Sequence, residues 1–297
     1  MILVAGASGR LGNRVARLLL TRGTPVRAMS RDVSRLAELT RLGAEPVAAD
    51  LRDPASLARA CENVEKVVAA AHAFTGTGDN NPVSVDDAGN RHLIDACRNA
   101  GVEHFVFTSV RGARPDHPLD FFRIKFRVEE YLRTSGLSYG ILRPSAFMEF
   151  WAALLGQPIV ERGRTTIFGR GTNPVNFVSV ADVAQFVLIA LDNPAARNQV
   201  IEVGGPENLS LVQVAAIFER VTGRTGKKSH VPLPVMRVMA VLMRPFNPAL
   251  GRQIAAGVHM DTADQTLDMT DTLTRFPVQL TRLEEIVRAQ FAASQVG

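Results

Sequence analysis

Hydrophobic positions along this chain follow two rhythms. Through the first half, short aliphatic runs bounded by turn residues alternate with segments whose apolar positions recur every three or four residues. The runs predict strands at 1–5, 25–29, 45–49, 65–71, 103–108 and 138–143. The intervening periodicity predicts helices at 10–22, 33–42, 54–61, 83–100 and 120–135. Such alternation implies right-handed crossovers and a parallel sheet covered on both faces, so the fold class is α/β, a doubly wound parallel sheet. Local punctuation agrees. Asp53-Pro54 reads as an N-cap followed by proline at the first helical position, and Gly101 and Gly136 fall just past helix ends.

After Pro144 the segments shorten, with prolines and glycines through 156–174. Ser179 with Asp182, Ser210 with Gln213 and Thr281 with Glu284 read as helix starts, and 199–203 as a strand returning to the sheet edge. The division expected is a first domain over 1–150 that carries most of the sheet and a small mixed lobe over 151–297, interleaved with the last sheet strands.

The most informative turn follows the first strand. Gly6-Ala7-Ser8-Gly9-Arg10-Leu11-Gly12 leads straight into an amphipathic helix carrying Leu11, Val15, Leu18 and Leu19. Glycines so spaced permit a tight turn, close approach of backbone to a pyrophosphate and close helix packing, while the helix start aims its amides at the phosphates. The expected cofactor-binding set begins with Gly6, Ser8, Gly9, Arg10, Leu11 and Gly12. The second strand ends in Ser30-Arg31-Asp32. An acid there suits the ribose hydroxyl of NAD, and a guanidinium suits the 2′-phosphate of NADP. Arg31 comes first, so NADP is expected with NAD as the alternative; Arg31 as a plain solvated loop residue is the competing reading. Asp50-Leu51 is placed to reach an adenine or to lead into the next helix. Ala70, Ala71 and His72 end the fourth strand with little bulk, and His72 is either a nicotinamide neighbour or a loop residue.

Composition narrows the class. A 46% apolar content is ample for a core, yet the apolar runs are too short to span a bilayer. No signal peptide precedes the first strand, and Cys61 and Cys97 lie in helical patterns as buried small residues. A cytoplasmic location is expected. The net charge of +5 is spread without a basic block, so nucleic acid is not an expected partner.

The chain resembles the atypical short-chain dehydrogenases/reductases of the NmrA-like and isoflavone-reductase-like kind. The resemblance rests on the glycine loop, Phe107-Thr108-Ser109, Lys125, the stretch Gly136-Leu137-Ser138-Tyr139-Gly140-Ile141-Leu142-Arg143-Pro144-Ser145-Ala146-Phe147-Met148-Glu149, and Phe177 to Ala184. It implies a Rossmann-type domain, NADP binding and, often, reduction of a carbonyl or enone. In the wider short-chain family a serine, a tyrosine and a lysine four residues after the tyrosine form the active site. Ser109 and Lys125 match; position 121 is phenylalanine. Tyr131 lies six residues past Lys125, about 240° around the helix, and Tyr139 belongs to the next strand, so the phenolic proton donor is absent.

Lys125 and Ser109 are therefore the expected catalytic residues. Lys125 either stabilises charge or only holds cofactor; Ser109 either donates to substrate or caps the strand end. His117 and Asp116 are further donors in the loop after the fifth strand. Pro144, Ser145 and Phe147 leave the carboxyl end of a strand and should run beside the nicotinamide, with Met148, Phe150 and Trp151 making the wall apolar. The expected substrate is a small apolar carbonyl or quinone-like compound. The alternative is a non-catalytic NADP(H) sensor acting through a regulatory protein partner, and a homodimer is compatible with either. The methionine-rich segment 235–244 reads as a packing helix of the lobe, a lid, or a segment resting on a membrane surface.

Overall fold

A computed structural model describes residues 1–296. Residues Met1–Pro144 with Val183–Val203 form one compact unit, and Ser145–Asp182 with the residues from Gly204 onward form a second. The chain runs through β1 (Ile2–Ala5), α1 (Arg10–Thr21), β2 (Val26–Ser30), α2 (Ala37–Arg41), β3 (Glu45–Ala48), α3 (Pro54–Ala60), β4 (Lys66–Ala69), α4 (Asn90–Asn99), β5 (His104–Thr108), α5 (Asp120–Arg133) and β6 (Ser138–Pro144). It continues through β7 (Ala146–Phe147), α6 (Met148–Leu155), α7 (Gln157–Arg162), β8 (Arg164–Phe168), β9 (Val175–Val178), α8 (Val180–Asp192) and β10 (Gln199–Val203). Last come β11 (Asn208–Leu209), α9 (Leu211–Thr222), β12 (Lys227–Val231), α10 (Leu233–Leu242), α11 (Pro248–Thr262), α12 (Thr270–Arg275) and α13 (Leu283–Val296).

The expected doubly wound sheet is present in the first unit. Seven strands, all parallel, run in the order β10-β6-β5-β4-β1-β2-β3. Every residue of β1 is buried, as are Phe105, Val106 and Phe107 of β5, because helices cover both faces of a parallel sheet. Each of the larger of these side chains, Ile2, Leu3, Val4, Phe105, Val106 and Phe107, contributes about 1.5–3 kcal/mol on burial. Pro46 sits in β3, at the sheet edge, where its missing N–H breaks no ladder on the open side. The order of strands reverses between β1 and β4, and the ligand crevice of such sheets lies outside the carboxyl ends of strands at that point.

Two expected helices are compound. Over 33–42, Asp32 caps a single 3-10 turn, Val33–Leu36, before α2. Over 83–100, residues Pro82–Gly89 wind as a π-helix before α4. Asn81 starts this stretch with a reciprocal capping box to Ser84, and the Asn90 side chain donates to the carbonyls of Val85 and Asp86, which the wider winding exposes.

In the second unit, Met148, Leu155, Phe177, Val214 and Phe218 share one core. The capping box of Ser210 and Gln213 starts α9, and the Ser179 hydroxyl accepts the Asp182 N–H at the start of α8. Thr281 differs from expectation: its N–H and hydroxyl both go to the Asp182 carboxylate, 2.8 Å each. Among the described residues no helix is long and apolar enough to cross a membrane.

One buried group gives the first unit a pH dependence. His104 is 2% exposed at the start of β5, its rings' nitrogens 2.9 Å from Ser138 Oγ and 2.8 Å from the Ala190 carbonyl. Burial pushes its pKa below the ordinary 6.5. The unfolded chain therefore binds a proton that the folded chain refuses, so this stability is complete above about pH 6.5 and is lost as pH falls from there. Thermal melts between about pH 5 and 7.5 should show stability rising with pH. His104→Leu should flatten part of that slope; an unchanged slope would rule out His104 as its source.

Candidate active site

The crevice at the strand reversal is built by the loop from β1 to α1. Gly6 has φ +88°, and a Cβ there would stand 2.8 Å from the Ala71 backbone nitrogen. A Cβ on Gly12 would overlap the Gly6 carbonyl oxygen. Only glycine fits either place, so α1 packs directly on the loop and the loop directly on the segment after β4. The helix start at Gly9 has no side-chain cap and no acid in its first turn, which leaves its leading amides for an outside anion. Arg10 is exposed beside it, whereas Leu11 is turned into the core. The Ser30 hydroxyl donates to Ser8 Oγ at 3.1 Å, tying the loop to the end of β2.

Past β2 the structure separates Arg31 from Asp32. The Asp32 carboxylate accepts the Ser34 N–H at 3.0 Å and the Ser34 hydroxyl at 2.6 Å, and these bonds hold its pKa low. That acid is occupied as a cap. Arg31 is exposed and donates to Asn80 Oδ1 at 2.9 Å. Asp50 is clasped by Arg52, which lowers its pKa, and Arg52 also donates to the Asp79 carbonyl. Two arginines thus tie residues 79–80 to the ends of β2 and β3. Leu51 is buried against Gly89, where a Cβ would come within 2.8 Å of it.

Beyond β4, Ala70 and Ala71 leave room and His72 is exposed, its Nδ1 accepting the Phe74 N–H at 3.4 Å. Desolvation by the neighbouring protein lowers the pKa of His72; Asp86 opposes this and the Lys125 charge adds to it.

Lys125, on α5, is 2% exposed. Its ammonium lies 3.0 Å from Asp86 Oδ1 and donates to the Thr108 carbonyl at 3.2 Å. It stands 4.9 Å from the centre of the Phe107 ring and 5.6 Å from that of Phe121. Asp86 is fully buried within the π-helical stretch and accepts the Ala73 N–H at 2.8 Å with its other oxygen, so it links the lysine to the segment after β4. Phe121 occupies the position one turn before the lysine and faces it, but carries no proton to give. Tyr131 hydrogen-bonds Asp95 at 2.8 Å beneath Arg91, and the Tyr139 N–H is tied to Asn198. Neither tyrosine replaces the missing phenol. Thr108 Oγ1 is buried at the end of β5 with no hydrogen-bond partner among the described residues.

Ser109 is 5% exposed and donates its only hydroxyl proton to Glu129 at 2.5 Å. Glu129 is fully buried and takes two bonds from Arg143, at 2.9 and 2.6 Å, with Arg133 at 3.6 Å. In this arrangement Ser109 offers a substrate lone pairs, not a proton. Sequence reasoning missed Asp86 and Glu129. A signal for Glu129 existed: it lies four residues after Lys125, on the same helix face, and Arg143 is a charge between the buried Leu142 and Pro144. His117 stacks on Phe122 at 4.0 Å and its Nδ1 accepts the Leu119 N–H, whereas Asp116 is exposed and paired with Arg114. Cys61 and Cys97 are buried free thiols, 3.7 Å apart.

Pro144 ends β6. In the second unit the Ser145 hydroxyl donates to Asn176 at 2.9 Å, Phe147 is partly buried, Met148 is core and Phe150 is 47% exposed. Among the described residues no cluster of histidines, cysteines or carboxylates could hold a metal ion.

Residues 1–274 match the model of the NmrA-like family. The chain belongs to the NmrA-like family. Among its relatives is an NAD(P)H azoreductase of Xenophilus azovorans, 34% identical over 75% of this chain and 74% of that protein. The photosystem II assembly factor Ycf39 of Synechocystis sp. is 28% identical over 98% of this chain and 90% of its own length. The fold matches that of the NADPH-dependent quinone oxidoreductase QOR2 of Escherichia coli, solved with NADPH, with TM-score 0.80 and 23% identity over 98% of this chain and all of that one.

Proposed function

We propose that this chain is an NADPH-dependent reductase of a small apolar acceptor bearing a carbonyl, enone or quinone-like group, working without a phenolic proton donor. The observation that carries this reading is a single constellation in the first unit: a glycine cradle under an uncapped helix start, with the buried ammonium of Lys125, from α5, held against the end of β5. The family and the reductases among its relatives support it. Bound NADPH supplies a hydride. The amides around Gly6, Ser8, Gly9, Arg10, Leu11 and Gly12 receive the pyrophosphate, and Arg31 takes the 2′-phosphate in preference to an acid at that place. Asp50 and Leu51 border the adenine, Ala70, Ala71 and His72 floor the crevice, and Pro144, at the end of β6, flanks the nicotinamide. Lys125 has three ammonium protons and two described partners, so one N–H remains for the ribose or for the oxygen that gains charge. Its positive charge favours that oxygen without giving up a proton, and solvent supplies the proton that completes reduction.

Titration with NADPH, NADH and NADP⁺, then NADPH-oxidation assays on quinones, azo compounds, enones and ketones, test this. Arg31→Glu should weaken NADPH about 10–100-fold, the worth of charge-assisted phosphate bonds, and leave NADH nearly unchanged. Equal losses for both would remove Arg31 from the phosphate. A second reading is favoured by Phe121 and by the similarity to Ycf39: the chain binds NADP(H) without turnover and acts through a protein partner. Tight binding with no turnover on any acceptor would select it.

A further inference from the structure

Helix α10 faces two ways. Met236 and Ala240 are buried, and Met236 Cε lies where a Cβ on Gly257 of α11 would come within 3.1 Å, so this side packs closely on α11. The other side is exposed and apolar: Val235, Val238, Met239, Val241 and Leu242 cover an arc of about 160° at 100° per residue. Phe246, just beyond the helix, is 83% exposed. Val238, Val241 and Leu242 are each more than half exposed, so this is a contiguous apolar surface, which monomeric proteins seldom leave without use.

Charge indicates what covers it. Between Glu219 and Asp261 the sequence holds no Asp or Glu, against seven Lys or Arg. Arg237 flanks the apolar arc, and Arg244 follows on the same edge; both are exposed, with no carboxylate paired to them among the described residues. Two copies meeting through this face would set arginines near arginines with no acid of the segment to match them. An anionic bilayer surface answers both features, taking the aliphatic side chains and Phe246 into the acyl boundary and the arginines among its headgroups. We propose that α10 and the turn to α11 form a peripheral docking surface for an anionic lipid membrane. This does not depend on turnover by the first unit.

The test is co-sedimentation of the full chain with phosphatidylcholine vesicles, with and without phosphatidylglycerol, at low and high salt. Binding should be about tenfold or more stronger with the anionic lipid and should fall with salt. Val238→Asp combined with Phe246→Asp should abolish it while melting temperature and NADPH affinity stay unchanged, both positions being exposed. Arg237→Gln with Arg244→Gln should remove the preference for the anionic vesicles. Equal partition onto both vesicle types, or wild-type binding by the aspartate variant, would overturn the proposal. So would a vesicle-free dimer that the aspartate variant dissociates, since a second copy would then own the face.

Discussion

A Lys125→Met chain should lose about 10²–10³-fold in NADPH-oxidation turnover, the usual cost of removing a charge-stabilising donor. It should also lose stability, for a separate reason. Asp86 is fully buried, and the lysine is its cation; stripping one partner from a buried pair costs about 3–5 kcal/mol because the other charge is stranded. A single substitution therefore confuses chemistry with folding. Adding Asp86→Asn resolves them. Asparagine keeps an acceptor for the Ala73 N–H and removes the stranded charge, so the double variant should regain most of the melting temperature while turnover stays low. If turnover returned along with stability, Lys125 would be a packing element and the proposed charge role would fail.

The same pair explains why the lysine's surroundings have the form they do. An ammonium buried among Phe107 and Phe121 gains from the ring faces but needs a counter-charge, and Asp86 arrives from a helix stretch wound more widely than an α-helix. Wider winding re-aims one carboxylate toward the site and another helix turn's carbonyls toward Asn90. No local pattern announces this. The periodicity over 83–100 reads as one helix because apolar spacing changes little over a single π-turn. By contrast, β1 and β5 were legible because strands buried on both faces carry short runs of consecutive apolar residues, Ile2 to Ala5 and Phe105 to Phe107, and the glycine loop because steric exclusion at Gly6 and Gly12 leaves one residue type possible. The missing phenol was also legible: position 121 is a phenylalanine wherever its ring points. What stayed hidden were partners distant in sequence: Asp86 for Lys125, Glu129 for both Ser109 and Arg143, Asp182 for Thr281. The hydroxyl of Ser109 shows the consequence. Sequence alone allows it a substrate; the fold directs its proton to Glu129.

Arg143→Met should destabilise the first unit by about 3–5 kcal/mol, the second large effect expected. Glu129 is fully buried and draws two hydrogen bonds from this guanidinium. Once Arg143 is gone, the Ser109 hydroxyl and the more distant Arg133 are what remain on the carboxylate among the described residues. Lysine does not substitute, since it lacks the planar fork that meets both carboxylate oxygens. Glu129→Leu should be costly alone for the converse reason, leaving Arg143, 16% exposed in its side chain, without its hydrogen-bonded carboxylate. Combined, Arg143→Met and Glu129→Leu should cost much less than the sum, because an apolar pair of similar volume removes both desolvation penalties. Denaturant melts of the two single variants and the double close the cycle. Additive losses would mean that the two side chains act independently and that the buried carboxylate is held by Ser109 and Arg133. A large coupling would establish that the arginine in the Leu142-Arg143-Pro144 stretch serves to anchor α5, the helix that carries Lys125, against the sheet.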